Sequence, residues 1–281
     1  MPHGVWFCDV DGMAVDPSPG DARVPAPDDL AATASFSSSL GLEMWHDDER
    51  THGRVSVVPA FLAPGTDWVR VGVLGTLVDM VGGTLPTGPI NPTVDLRLRL
   101  LAAPPASGEI HLVSHPVKAG RRLYLAEVLL DDGDPERPFA TSTITFMNQP
   151  IVGAGVEGVG LSRQPLGAPS YDDALALRYP TASTAEMDPR APLLNPVFGT
   201  FLGGTQILFA ELAAEHALSA HGPHRTVDLD IRFVNRSGSE TVVATAEPVA
   251  GPFDELALRV AIRRGTDERL VSLASVRCRP A

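Results

Sequence analysis

The sequence predicts an α+β protein made of two copies of one module, each a curled antiparallel sheet wrapped around a single buried helix. Three features predict it: an apolar helical segment carrying one acid, the return of that segment at a fixed spacing, and a run of strand-like segments after each copy.

The first segment runs from Val71 to Gly83. Apolar residues at 73, 74, 77, 78, 80 and 81 leave almost no polar face, which is the pattern of a helix buried nearly all round. Asp79 is then buried with it. A carboxylate in such surroundings has to be hydrogen-bonded, charge-paired or protonated, and pKa-shifting environments of this kind suit catalytic acids and bases. A structural aspartate satisfied by nearby backbone is the plain alternative.

The pattern returns as Gly204-Thr205-Gln206-Ile207-Leu208-Phe209-Ala210-Glu211, with Gly72 to Gly204 and Asp79 to Glu211 both 132 positions apart. Leu62-Ala63-Pro64 matches Leu194-Asn195-Pro196 at the same offset, as do Pro116-Val117 with Pro248-Val249 and Glu136-Arg137 with Glu268-Arg269. Thr93-Val94-Asp95-Leu96 recurs one residue further on as Thr226-Val227-Asp228-Leu229, a single slip in the loop after the helix. A spacing held over so many positions marks two copies of one fold.

Two modules of about 115 residues each bury a core of their own. The net charge of −12 makes the surface as a whole unsuited to nucleic acid or an anionic membrane, so an anionic ligand needs a local basic patch. Cys8 and Cys278 lie at opposite ends with no metal or redox spacing, as expected of a reduced cytoplasmic protein. Residues 1–9 lack the positive start and long apolar run of a secretory signal. No segment reaches the roughly 18 apolar residues that span a bilayer.

In chain order, residues 1–35, rich in Asp, Pro, Ala and Ser, are expected to form a flexible arm. The first module covers 36–149. Its expected order is short strands at 40–45 and 54–58, a turn at 63–67, the buried helix, a Gly/Pro-rich loop at 84–92, then strands at 93–101, 109–116, 122–130 and 141–147. Residues 150–167, with glycines among small residues, are the expected linker. The second module, 168–281, repeats the order with a strand at 174–179, a helix at 201–216 and strands at 227–233, 241–248, 255–263 and 270–278. One helix followed by antiparallel strands is hidden all round only if the sheet curls about it.

From residue 36 onward the chain resembles the hotdog-fold acyl-CoA thioesterases, in particular the PaaI-like (phenylacetyl-CoA thioesterase) type, in a tandem, double-hotdog form. The carriers are Gly72, Asp79 and Thr93-Val94-Asp95-Leu96 in the first half, and Asn195, Gly199, Gly203-Gly204, Glu211 and Thr226-Val227-Asp228-Leu229 in the second. The family pattern is an Asn, a Gly, then His-Gly-Gly with an acid seven residues after its last Gly, and a small hydroxyl residue opening the next strand. Arg70 and Leu202 stand here in place of the His, and Val71 in place of the first Gly.

The resemblance implies hydrolysis of an acyl-CoA to free acid and coenzyme A, at sites built between two antiparallel helices. Gly72 and Asp79 lie about 10 Å apart along one helix and cannot serve one thioester together. Asp79 and Thr93 are therefore expected to face Asn195, Gly203 and Gly204, a site with every part. Glu211 and Thr226 face Ala63, Val71 and Gly72 in a second, degenerate site. In the first, free N–H groups at the start of the second helix meet the thioester oxygen as charge develops, and Asp79 acts as general base or as nucleophile. Asn195 adds a donor or holds the water, and Thr93 orients water or acid. A turn role for Asn195 and a strand role for Thr93 and Thr226 fit their residue types equally well.

Coenzyme A enters only as part of the substrate, with no separate cofactor. Its phosphates need cations, which Lys118, Arg121 and Arg122 supply around a turn whose equivalent, residues 249–254, has none. A solvated hairpin tip is the alternative, and Arg97, Arg99 and Arg263 are weaker candidates. The histidines have no metal spacing, so no metal site is expected. The rival function is a non-catalytic acyl-CoA or acyl-chain binding protein; an enoyl hydratase wants a His and acid pair, which Arg70 and Leu202 disfavour. Pairing of whole chains into a homodimer through their outer sheet surfaces is left open.

Overall fold

The computed structural model describes residues 35–47, 50–83, 92–148, 170–195, 198–249 and 255–281. Of the expectations above, the arm, Cys8, most of the 84–92 loop, the linker, Pro196 and the 250–254 turn lie outside the described residues. In the first half, β1 (Glu43–His46) and β2 (Thr51–Ser56) precede helix α1 (Val71–Gly83), which is followed by β3 (Thr93–Leu100), β4 (Glu109–Ala119), β5 (Leu123–Asp131) and β6 (Ala140–Met147). The second half opens with a short helix α2 (Tyr171–Leu175), then β7 (Leu177–Thr181), β8 (Thr184–Met187) and the two-residue strands β9 (Leu194–Asn195) and β10 (Thr200–Phe201). Helix α3 (Gly203–Leu218) follows, then β11 (His224–Phe233), β12 (Val242–Val249), β13 (Leu256–Arg264) and β14 (Leu270–Pro280).

Twelve of these strands make one antiparallel sheet in the order β1-β2-β4-β5-β6-β3-β11-β14-β13-β12-β8-β7. The order reads as two six-strand halves related by a two-fold about the β3–β11 pair. The 132-residue offset also governs the hydrogen bonds: Arg70 N–H donates to Phe61 O at 2.9 Å and Leu202 N–H to Leu193 O at 3.0 Å, so each helix is entered through the same hairpin. The bulges agree as well, one between Thr93 and Asp95 and one between Thr226 and Asp228. A bulge at the same place in each half turns Thr93 and Thr226 in the same sense.

Alternation along the strands decides the faces. In β3, Leu96 and Leu98 are fully buried under α1, while Arg97 and Arg99 point outward. Across the junction the outward residues form a charge ladder, with Arg97 3.7 Å from Asp228 and Arg232 4.0 Å from Asp95. Arg97 ion-pairs across the junction, and Arg263 bonds the Glu268 carbonyl in its own hairpin. Inside, Leu74 and Leu77 have no exposed area, so truncating either to Ala would cost about 2–5 kcal/mol.

The two long helices touch along faces made of glycine. Contacts run in opposite order, with Gly72 against Leu208, Gly75 against Ile207 and Gly204 against Thr76, so the helices lie antiparallel. A Cβ at Gly72 would stand 2.8 Å from the Leu208 backbone, closer than any side chain tolerates. The Thr76 hydroxyl lies 2.8 Å from Gly72 O in its own helix and 2.9 Å from Gly204 O in the other, tying the two together at that point.

Three expectations are corrected. Residues 174–175 belong to α2 rather than to a strand, because Ser170 caps a turn that the Asp172-Asp173 pair favours, its hydroxyl accepting from the Asp173 N–H at 3.1 Å. The strand β8 had no expected counterpart, being only four residues long with a single alternation. The second long helix begins at Gly203 rather than at Phe201, which belongs to β10.

Candidate active site

The antiparallel helices bring each acid to the amino-terminal end of the opposite helix. Asp79, on the last turn but one of α1, accepts from the Gly204 N–H of α3 at 3.0 Å through Oδ2 and from the Thr93 hydroxyl at 2.5 Å through Oδ1. Its carboxylate also lies against Gly203, where a Cβ would sit 2.8 Å from Oδ2 and push the acid away. Among the described residues nothing accepts from the Gly203 N–H, the first donor of α3. Burial pushes the Asp79 pKa up to about 6, against the opposing effect of the Thr93 and Gly204 hydrogen bonds. The side chain keeps some exposure to solvent.

Glu211 takes the equivalent place at the start of α1. Its two oxygens accept from Val71 N–H at 3.0 Å and Gly72 N–H at 2.6 Å, so both leading donors of that helix are consumed. Thr226 stands beside Glu211 as Thr93 does beside Asp79, but its hydroxyl lies 3.8 Å from Cys278 Sγ. Burial raises the Glu211 pKa, and the Arg70 charge, the two N–H groups and Thr226 hold it back. The neighbours differ in kind from those of Asp79. Arg70 is only 5% exposed and ion-pairs with Glu215, whose own pKa burial lifts to about 7 despite the guanidinium. At the corresponding offset the Asp79 site has Leu202 for Arg70 and Gly83 for Glu215, and Phe146 pairs with Thr93 where Cys278 pairs with Thr226.

The structure therefore brings Asp79, Thr93, Gly203 and Gly204 together, and separately Glu211, Thr226, Val71 and Gly72. Asn195 stands in the hairpin ahead of α3, where its side-chain oxygen accepts from the Phe198 N–H at 3.3 Å across the turn. That bond is the turn role its residue type allowed. Lys118, Arg121 and Arg122 are exposed at the β4–β5 tip. The register places that tip on the same row as the site, Thr93 pairing with Phe146, Phe146 with Tyr124 and Tyr124 with Ala119. Three strand spacings put it about 14 Å from Thr93 across the sheet.

A cleft of about 300 Å³ opens on the Glu211 side, lined by Ala63, Pro64, Thr66, Glu215, Ser219 and His224 among others. It does not lie at Asp79. At the repeat offset, several residues that would line its counterpart beside Asp79 fall at 84–91 and 196–197, outside the described residues. No group of three or more His, Cys, Asp or Glu suited to a metal occurs among the described residues. No helix there is long and apolar enough to cross a membrane.

Thr76 and the Arg70–Glu215 pair were not among the expected site residues. Thr76 reads as one more small residue in a buried helix, and Glu215 as a charge on the end of an amphipathic one. Only the helix crossing makes either meaningful, and the departure of Arg70 from the family His was the one visible signal.

No protein-family model matches this sequence, and no curated protein sequence matches it. Among solved structures, it is similar to a putative thioesterase II from Thermobifida fusca at TM-score 0.61 and 14% identity, covering 89% of this chain and 98% of that one. A conserved hot dog-fold protein of unknown function from Alicyclobacillus acidocaldarius gives TM-score 0.60 at 13% identity, covering 88% and 98%. The 12:0-ACP thioesterase from Umbellularia californica gives 0.59 at 9%, covering 84% and 100%. At these identities the likeness shows the fold alone, and that fold is the hotdog.

Proposed function

We propose that the chain is a double hotdog of the PaaI-like type that hydrolyses an acyl-CoA thioester at Asp79. The observation that supports this most directly is the meeting, at the start of α3, of a carboxylate with pKa about 6 and a Gly203 N–H that no described residue uses. Names of thioesterases recur among the structural neighbours and support thioester hydrolysis in general.

In this reading the thioester carbonyl points its oxygen at the Gly203 N–H, which the dipole of α3 reinforces as negative charge builds there. Asp79, ionised above pH 6, takes a proton from a water held beside it, and the water oxygen bonds to the carbonyl carbon. When the tetrahedral intermediate collapses, the carbon–sulfur bond breaks and the leaving thiolate recovers the proton from Asp79. Direct attack by the carboxylate, with later hydrolysis of the anhydride, uses the same atoms. Thr93 fixes the carboxylate orientation by its 2.5 Å bond. The basic tip meets the phosphates of the coenzyme.

Release of free thiol from a panel of acyl-CoA esters tests the reading. Turnover that rises with pH and levels off above about 6 is expected. Tight acyl-CoA binding with no thiol released from any ester would replace the enzyme by a binding protein.

A further inference from the structure

We propose that the length of the acid decides which of the two pseudo-equivalent sites is open, and that Glu211 is a helix cap locking α1 to α3 rather than an acid of the reaction. The two acids stand at equivalent positions, Asp79 beside Thr93 and Glu211 beside Thr226, and each is aimed at the leading N–H groups of the opposite helix. They differ by one methylene. Glu211 reaches far enough for its two oxygens to take the first and second donors of α1, Val71 N–H at 3.0 Å and Gly72 N–H at 2.6 Å. Asp79 stops short, bonding the second donor of α3 at 3.0 Å and leaving the first, Gly203, to a ligand.

A second difference acts in the same direction. The first residue of α1 is Val71, fully buried, whereas the first of α3 is Gly203, which keeps some exposure. Beside Glu211 the Arg70–Glu215 pair fills the space that Leu202 and Gly83 take in the other half. A thioester oxygen brought to Glu211 would find both leading N–H groups of α1 taken, and a capped N–H cannot also stabilise an oxyanion. Glu211 thus acts as a positioning residue: it holds the amino-terminal end of α1 against α3, and that crossing is what sets Asp79 opposite Gly203.

The inference rests on the hydrolytic reading only for the word open; the capping itself is measured without a substrate. Amide hydrogen exchange of the full chain, resolved at single residues, should show Val71 and Gly72 protected at least tenfold more than Gly203. Asp79→Glu should then slow exchange at Gly203 and reduce thiol release about 10²–10³-fold, the loss of one oxyanion donor, while a carboxylate remains in place. Glu211→Asp should speed exchange at Val71 and lower the melting temperature. Equal protection of Val71 and Gly203 in the unaltered chain would overturn the proposal even if both variants failed to fold. So would an Asp79→Glu chain that folds and turns over normally. If the unaltered chain releases no thiol from any ester, the hydrolytic reading fails while the exchange pattern still decides the capping.

Discussion

Asp79 and Glu211 are one position seen twice, and the company each keeps has made them different groups. Around Glu211 the chain has gathered Arg70 and Glu215 into a buried, charged cluster; around Asp79 it has kept Leu202, Gly83, Phe146 and one N–H that no described residue uses. Burial raises both pKa values, and the difference lies in what opposes it: a cation and two N–H groups at Glu211, one N–H and the Thr93 hydroxyl at Asp79. Asp79 has a folded pKa of about 6 against 3.8 for a free aspartate, so between these values the folded chain binds more protons than the unfolded one. Stability contributed by the protonated form is present at low pH and lost as pH rises through about 6, on the order of 3 kcal/mol at neutral pH. A carboxylate held at that disadvantage with a single N–H partner fits the role proposed for it, in which stability is given up for reactivity.

The largest expected effect lies on the Glu211 side and is on stability. Arg70→Leu, which copies Leu202, leaves Glu211 and Glu215 buried without their cation and should cost roughly 3–5 kcal/mol at pH 8. Because Glu215 already titrates at about 7 and loses its stabilising charge, the loss should shrink as the pH falls and the carboxylates protonate. Denaturant unfolding at pH 5 and pH 8 checks this; a pH-independent loss would mean that Arg70 works by packing alone.

Next comes Thr93→Ala, expected to slow turnover about tenfold through the lost bond to the charged acid. That bond favours the ionised form, so the midpoint of the pH–rate profile should move above about 6. An unchanged midpoint would make Thr93 a strand residue only. The equivalent change at Thr226 should leave the profile where it is.

The smallest effect per residue is at the hairpin tip. Each cation of Lys118, Arg121 and Arg122 is exposed, so its removal should weaken acyl-CoA binding by about 1 kcal/mol or less. Changing all three to Ala should raise KM in a salt-dependent way with kcat nearly constant, and leave a short thioester lacking the nucleotide unaffected. Equal losses on both substrates would show a structural role for the turn.

Much of this was legible before any coordinates. The apolar pattern of residues 71–83 pointed to a buried helix, the 132-residue repeat carried the second helix and most strands, and the family resemblance implied the pairing of Asp79 with Gly203-Gly204. What escaped depends on side chains that meet only after the helices cross. Arg70 and Glu215 are 145 positions apart, and nothing in either neighbourhood announces the other. The contact of Asn195 with the Phe198 N–H and the ion pair of Arg97 across the β3–β11 junction also depend on three-dimensional geometry that residue type leaves open. The consequence of one methylene, likewise, appears only once the distance from acid to helix end is known.

Thiol release by the unaltered chain, Asp79→Asn and Glu211→Gln, measured side by side at pH 8 on one acyl-CoA, tests the central claim most directly. Asp79→Asn preserves shape and removes the base, so turnover should fall by about 10²–10⁴-fold while the melting temperature holds or rises. Glu211→Gln should keep most of the activity in whatever fraction folds, with a lower melting temperature. Full turnover by Asp79→Asn, or loss of turnover confined to Glu211→Gln, would contradict the account.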